Sequence, residues 1–155
     1  MDLSLSGLIA AMVVFTIIFA MLGLIFDITL RVLNQQKLYS EFSAEAQRIV
    51  HIVDLLLSQS VWTDRVSANG NSLTLDFFVP VGTSVVKQIK VLRIENSEIV
   101  FDGKRIASLS NLVRGVRFSL ENIQGKKYIL MSIEPESIRF KPYLIPIMTA
   151  LSEAN

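Results

Sequence analysis

Residues 7–26 read GLIAAMVVFTIIFAMLGLIF and hold one polar side chain, the hydroxyl of Thr16. Asp2 is the last charge before them and Asp27 the first after them. A helix rises about 1.5 Å per residue, so the run reaches roughly 30 Å, the thickness of a bilayer's hydrocarbon core. Hydrocarbon offers backbone amides no partner, and a helix satisfies them within the segment. The run is therefore expected to be a membrane-crossing helix.

Two other readings fit less well. A cleaved secretory signal opens with basic residues and closes on a small-x-small site. Here the start is Met1-Asp2-Leu3-Ser4, and the run leaves through Phe26-Asp27-Ile28-Thr29. A core helix of a soluble protein is normally apolar on one face, whereas this run is apolar all round. Basic residues are absent before the run and sparse after it (Arg31, Lys37), so loop charge gives little guidance on orientation.

Outward from the run, residues 24–69 contain neither Gly nor Pro. Helix formers fill the stretch: Gln35, Gln36, Lys37, Glu41, Glu45, Gln47 and Arg48. Phe42, Ala46, Ile49, Val53, Leu56 and Leu57 recur at three- and four-residue steps, the stripe of an amphipathic helix. Glu41, Glu45, Arg48 and Asp54 fall largely off it. One helix is expected from about residue 4 to about residue 60, its second half laid against a partner in water.

That partner is expected in the rest of the chain. After Asn69-Gly70-Asn71 the period becomes two. Residues 72–79, 85–94, 98–101, 104–107, 116–120 and 128–133 read as strands. Asp102-Gly103 is a two-residue hairpin signal, and Gly125 a further turn. Residues 138–151 hold Pro142 and Pro146, so this tail is an edge strand or irregular. The fold class is α+β: a long N-terminal helix, membrane half plus amphipathic half, packed on one antiparallel sheet of about five strands. The divisions are 1–29 (membrane helix), 30–68 (amphipathic continuation) and 69–155 (β head with irregular tail).

Composition limits function. The 155 residues include 15 Lys and Arg against 14 Asp and Glu, a net charge of +1, which argues against a nucleic-acid binder driven by bulk charge. Cysteine is absent and His51 is the lone histidine, so disulfides, thiolate sites and multi-His metal centres within one chain are excluded. No Ser/His/Asp set, carboxylate pair or phosphate loop can be assembled. The expectation is a protein without catalytic residues or cofactor. From residue 72 onward 11 basic residues face 8 acidic ones. This excess is too small for strong salt-dependent nucleic-acid binding, and a solvated polar face accounts for it. His51 reads as a packing or surface residue, Asp76 as a solvent-facing strand residue, and Asp27 as the interface marker, with Arg31 within salt-bridge reach.

The start, Leu3-Ser4-Leu5-Ser6-Gly7-Leu8-Ile9-Ala10-Ala11-Met12-Val13-Val14-Phe15, is similar to the N-terminus of type IV pilins and type II secretion pseudopilins. The segments 99–107 and 112–120 resemble the hairpin, loop and Val-x-x-Phe strand of minor pilins of the secretion and competence kind. The resemblance implies a pilin-like fold and a structural subunit of a pilus or secretion apparatus. Its partners would be other pilin-like subunits through the N-terminal helix, inner-membrane lipid, and a prepilin peptidase acting before Leu3. It also implies a single-pass N-terminal anchor with an extracytoplasmic head. Gly7, Ala10, Ala11, Phe15, Ala20, Gly23 and Asp27 would form the anchor and the helix-to-helix surface, the small ones allowing close approach.

Two departures stand out. Only Met1 and Asp2 precede Leu3, so a leader is lost, the start is internal to a longer chain, or processing does not occur. Gly7 stands where the family has a glutamate thought to pair with a neighbour's N-terminal amine, which points to a tip or initiating subunit. The alternative is a single-pass, membrane-anchored β-domain scaffold or sensor unrelated to pili.

Overall fold

The computed structural model describes residues 5–58, 67–124 and 126–149. Helix α1 covers Leu5–Leu57, 53 residues. Beyond Gly23 it holds neither Gly nor Pro, so nothing interrupts its hydrogen-bond ladder. Thr16 donates its hydroxyl to the Met12 carbonyl at 2.9 Å and Thr29 donates to Ile25 at 2.8 Å. Both hydroxyls are thereby satisfied without water.

The chain divides into two units, Met1–Ser40 and Glu41–Asn155. In the first, every described residue is exposed. In the second, α1 buries Phe42, Ala46, Ile49, Val53 and Leu57. Leu56 is half-buried, and Glu41, Arg48, His51 and Asp54 are exposed.

Eight strands follow: β1 Ser67–Asn69, β2 Ser72–Val81, β3 Ser84–Glu95, β4 Glu98–Phe101, β5 Lys104–Ser108, β6 Val113–Ile123, β7 Lys126–Pro135 and β8 Tyr143–Thr149. They form two antiparallel sheets in chain order, β1-β2-β3-β4-β5 and β6-β7-β8. The β4–β5 turn is the expected pair, with Asp102 at φ 51° and Gly103 at φ 75°. Positive φ at both central residues is what a right-twisted hairpin requires of a two-residue loop. The segment between β5 and β6 is a loop, whose Leu109 is buried.

Period-two alternation sends every second side chain inward. Leu73, Leu75 and Phe77 of β2, Leu92 and Ile94 of β3, Val116 and Phe118 of β6, and Ile129, Met131 and Ile133 of β7 join the helix stripe in one core. Each such aliphatic side chain, once buried, contributes roughly 1.5–3 kcal/mol.

Two features differ from expectation. The strands make two sheets, not one, because among the described residues the first sheet is joined to β6 by one isolated bridge, Gly70 to Phe118, just past the end of β1. A contact of that length carries too little periodic sequence to be read. The tail takes the first of the two forms expected of it, an edge strand: β8 pairs with β7 on one side, with Pro146 in its length and an irregularity in register between Ile129 and Leu130. Asp76 is not solvent-facing but 3% exposed. Alternation assigns a side chain to a face and does not say whether that face is covered. Here the Lys87 Nζ lies 2.6 Å from the Asp76 Oδ2, which supplies the counter-charge that a buried carboxylate needs. Gly125 lies outside the described residues.

Candidate functional site

The surface with the most unusual physical character is the N-terminal part of α1. Met12, Phe15, Phe19, Met21, Leu24 and Phe26 are each more than 60% exposed. Soluble monomers seldom leave apolar patches of more than a few hundred Å² uncovered, and larger ones mark interaction or membrane surfaces. The helix is long and apolar enough to cross a membrane.

Gly7, Ala10, Ala11, Phe15, Ala20, Gly23 and Asp27 all lie exposed on this part of the helix. Leu3 lies outside the described residues. Around Gly23 the helix surface forms a shallow, open apolar depression lined by Phe19, Leu22, Ile25, Phe26 and Thr29. A Cβ placed on Gly23 would meet no atom within 4 Å. The glycine therefore answers no steric demand within its own chain.

Asp27 and Arg31 form an ion pair at 2.8 Å, one helical turn apart, with their side chains 58% and 75% exposed. An acid preceding a base at this spacing is the favourable order, worth about 0.3–0.5 kcal/mol. The pair follows directly on the apolar run, where charge can reach water.

The second half of α1 carries a polar cluster that sequence reading did not connect. Glu45 and Arg48 stand three residues apart, the spacing of a supportive helical pair, but their further partners lie some sixty residues away. Arg48 Nε and Nη2 donate to the two Glu45 carboxylate oxygens at 2.8 and 2.6 Å. Arg48 Nη2 also donates to the Ser108 carbonyl at 2.7 Å, and the Ser110 amide donates to Glu45 Oε1 at 3.2 Å. The pair thus fixes the helix to the β5–β6 loop. Arg105 extends the cluster by donating to the Ser108 hydroxyl at 2.6 Å and pairing with Glu98 at 3.0 Å.

The Arg48 hydrogen bonds hold the Glu45 carboxyl below its ordinary range, against a smaller opposing effect of burial; the Ser110 amide adds to the lowering. The same pairing raises Arg48. A carboxyl with a depressed folded pKa stabilises the fold above its unfolded value, near pH 4.3, and loses that contribution as pH falls through the folded value. Arg48 is 45% exposed, so solvent screening limits the effect to about 1 kcal/mol. Glu45→Gln is expected to lower stability by that amount at pH 7, and the difference is expected to shrink as pH falls from about 4.3 through the lowered folded value. Urea unfolding of the two proteins at pH 7 and pH 3 checks this.

His51 is exposed. Among the described residues, no group of three or more His, Asp and Glu is placed to hold a metal ion. Comparisons with family models, characterised proteins and solved structures found no match.

Proposed function

We infer that the chain is a membrane-anchored structural subunit that assembles through its N-terminal helix. The reading is a minor pilin-like or pseudopilin-like component of a pilus or secretion apparatus. The observation that carries it is the helix surface from Leu5 to Phe26, apolar on every side and exposed at each of its residues. A lone anchor needs only hydrophobicity. Gly7, Ala10, Ala11, Ala20 and Gly23 add small surfaces, which let helix backbones approach in lipid, where packing rather than the hydrophobic effect drives association.

The α+β head that follows the helix supports the same reading, as does the similarity of residues 3–15 to pilin N-termini. Gly7 in place of a family glutamate removes the carboxylate that would draw a neighbour's amine. The subunit is then suited to begin or cap an assembly, not to extend it. Its helix anchors it once in the inner membrane, with the head outside the cytoplasm.

Gly23→Leu separates assembly from anchoring, because the added side chain meets open space in its own chain. Cross-linking in native membranes is expected to show higher-order species for the parent chain. The variant should reduce them about tenfold while fractionating with membranes as before; a coupling of 1–2 kcal/mol between helices gives that factor. Unchanged cross-linking would leave an anchored scaffold as the better reading.

A further inference from the structure

The β2–β3 hairpin outruns the strands on either side of it. β2 and β3 pair residue for residue from Ser72 and Arg93 out to Val81 and Ser84. β1 accompanies β2 only to Thr74, and β4 joins β3 only from Leu92. Beyond these points no described strand lies beside the hairpin. We propose that the free edge of β3 at residues 85–89 pairs antiparallel with the same edge of a second copy of this chain, about a two-fold axis at Lys87. The surface belongs to the head alone and does not rest on the anchoring reading.

Backbone direction defines the edge. The Val91 carbonyl accepts from the Asp102 N–H at 3.0 Å, so it turns away from β2. In a strand, residues two apart turn their N–H and C=O the same way. Val85, Lys87 and Ile89 therefore present both groups outward, and all three residues are exposed. An edge of this kind is a template for another strand, and proteins usually guard it with proline, charge or a bulge. On the β2 side the guard is present: Pro80 stands opposite Val85, with its ring nitrogen turned outward. On the β3 side there is no proline and no bulge. Lys87 is the one edge-facing charge from 85 to 89, and its Nζ is matched by the Asp76 Oδ2 at 2.6 Å.

The edge is its own complement. With Lys87 on the axis, Val85 falls opposite Ile89 of the second copy, and Ile89 opposite Val85. These side chains are 66% and 65% exposed, and aliphatic cross-strand pairs of this type support a sheet. The two lysines meet at the axis, where like charges would repel, but each has its own Asp76. The edge therefore does not call for an acidic strand. Lengths agree as well. Ser84 of the second copy falls opposite Lys90, so its Gly82–Thr83 turn arrives beside Val91, where the Asp102 N–H takes over the edge. The strand that each copy offers ends where the edge that it meets ends. A surface that pairs with itself gives a closed dimer.

Cysteine is absent from the chain, so single thiols report the register. With the axis at Lys87, Val86 faces Gln88 of the second copy in a pair without mutual hydrogen bonds, Cα atoms about 4.5 Å apart. A disulfide accepts about 4.4–6.8 Å. Two Val86 residues, or two Gln88 residues, stand diagonally at roughly 7–8 Å. Full-length Val86→Cys and Gln88→Cys chains, co-expressed and purified in detergent micelles, are oxidised mildly. The mixed disulfide dimer is expected to form about tenfold faster than either variant alone forms one. Ile89→Lys, placed in both chains, should slow it about tenfold. Ile89 is exposed, so this exchange leaves the core untouched. Gly23→Leu should leave the mixed disulfide unchanged, which separates the head contact from helix association. Equal rates for mixed and single variants, or a mixed disulfide that survives Ile89→Lys, would overturn the proposal. Absence of the disulfide, with a fluorophore on the Val86→Cys variant responding instead to phosphatidylglycerol vesicles, would assign the hairpin to lipid and also overturn it.

Discussion

Phe15→Arg combined with Phe19→Arg is expected to remove the chain from the membrane fraction. Both residues lie near the middle of the apolar run and are exposed. Phe at the centre of a membrane helix favours insertion by about 0.3–0.6 kcal/mol, and Arg opposes it by about 2.5–3.5 kcal/mol. Two exchanges therefore shift the balance by about 6–8 kcal/mol. Leu33→Arg with Leu38→Arg provides the comparison, since both residues follow the Asp27–Arg31 pair. That variant should remain with membranes. Membrane sedimentation after a carbonate wash distinguishes the two, and equal behaviour would deny a special role to residues 7–26.

The second large effect concerns the head. Ile49 is fully buried on α1, within the core shared with both sheets. Ile49→Ala should cost about 2–5 kcal/mol, from lost burial and the cavity left behind. His51, two residues on, is exposed, and His51→Ala should change stability by less than about 0.5 kcal/mol. Urea unfolding of the full chain in detergent measures both. A small effect at Ile49 would mean that the sheets hold together without the helix.

The burial of Ile49 was readable from the sequence, because helical periodicity is a local property, whereas His51 read as either a packing or a surface residue. Steps of three and four from Phe42 to Val53 mark one face whatever covers it, and the absence of Gly and Pro beyond residue 23 lets α1 run unbroken to Leu57. Asp102-Gly103 was equally local, since its turn depends on two φ angles. What escaped the sequence depends on distant partners. The bridge from Gly70 to Phe118 joins segments nearly fifty residues apart. Asp76 alternates as an outward residue should, yet is buried beside Lys87 from the next strand. Arg114 gives no local sign of a bulge, which exists only in the register with Pro135 and Glu134. Glu45 and Arg48 look like an ordinary helical pair until the loop at Ser108 and Ser110 is folded against them.

The sheet edges also differ in character. β5 carries Lys104 and Arg105, charges of the kind that discourage pairing with another chain. β8 is mostly apolar, with Leu144 exposed, and Pro146 removes one backbone donor from its length. The two edges are thus protected by different means, charge on one and a missing N–H on the other.

The absence of cysteine makes the embedding of the apolar helix directly measurable. Single variants Ile9→Cys, Ile17→Cys, Met21→Cys, Lys37→Cys and His51→Cys can be treated with a water-borne maleimide in sonicated membranes, where both faces are accessible. Thiols at 9, 17 and 21 should be protected and become reactive only after detergent is added, while those at 37 and 51 should react at once. Prompt labelling of Ile17→Cys at the rate of His51→Cys, before any detergent, would contradict a membrane-embedded helix and the assembly built on it.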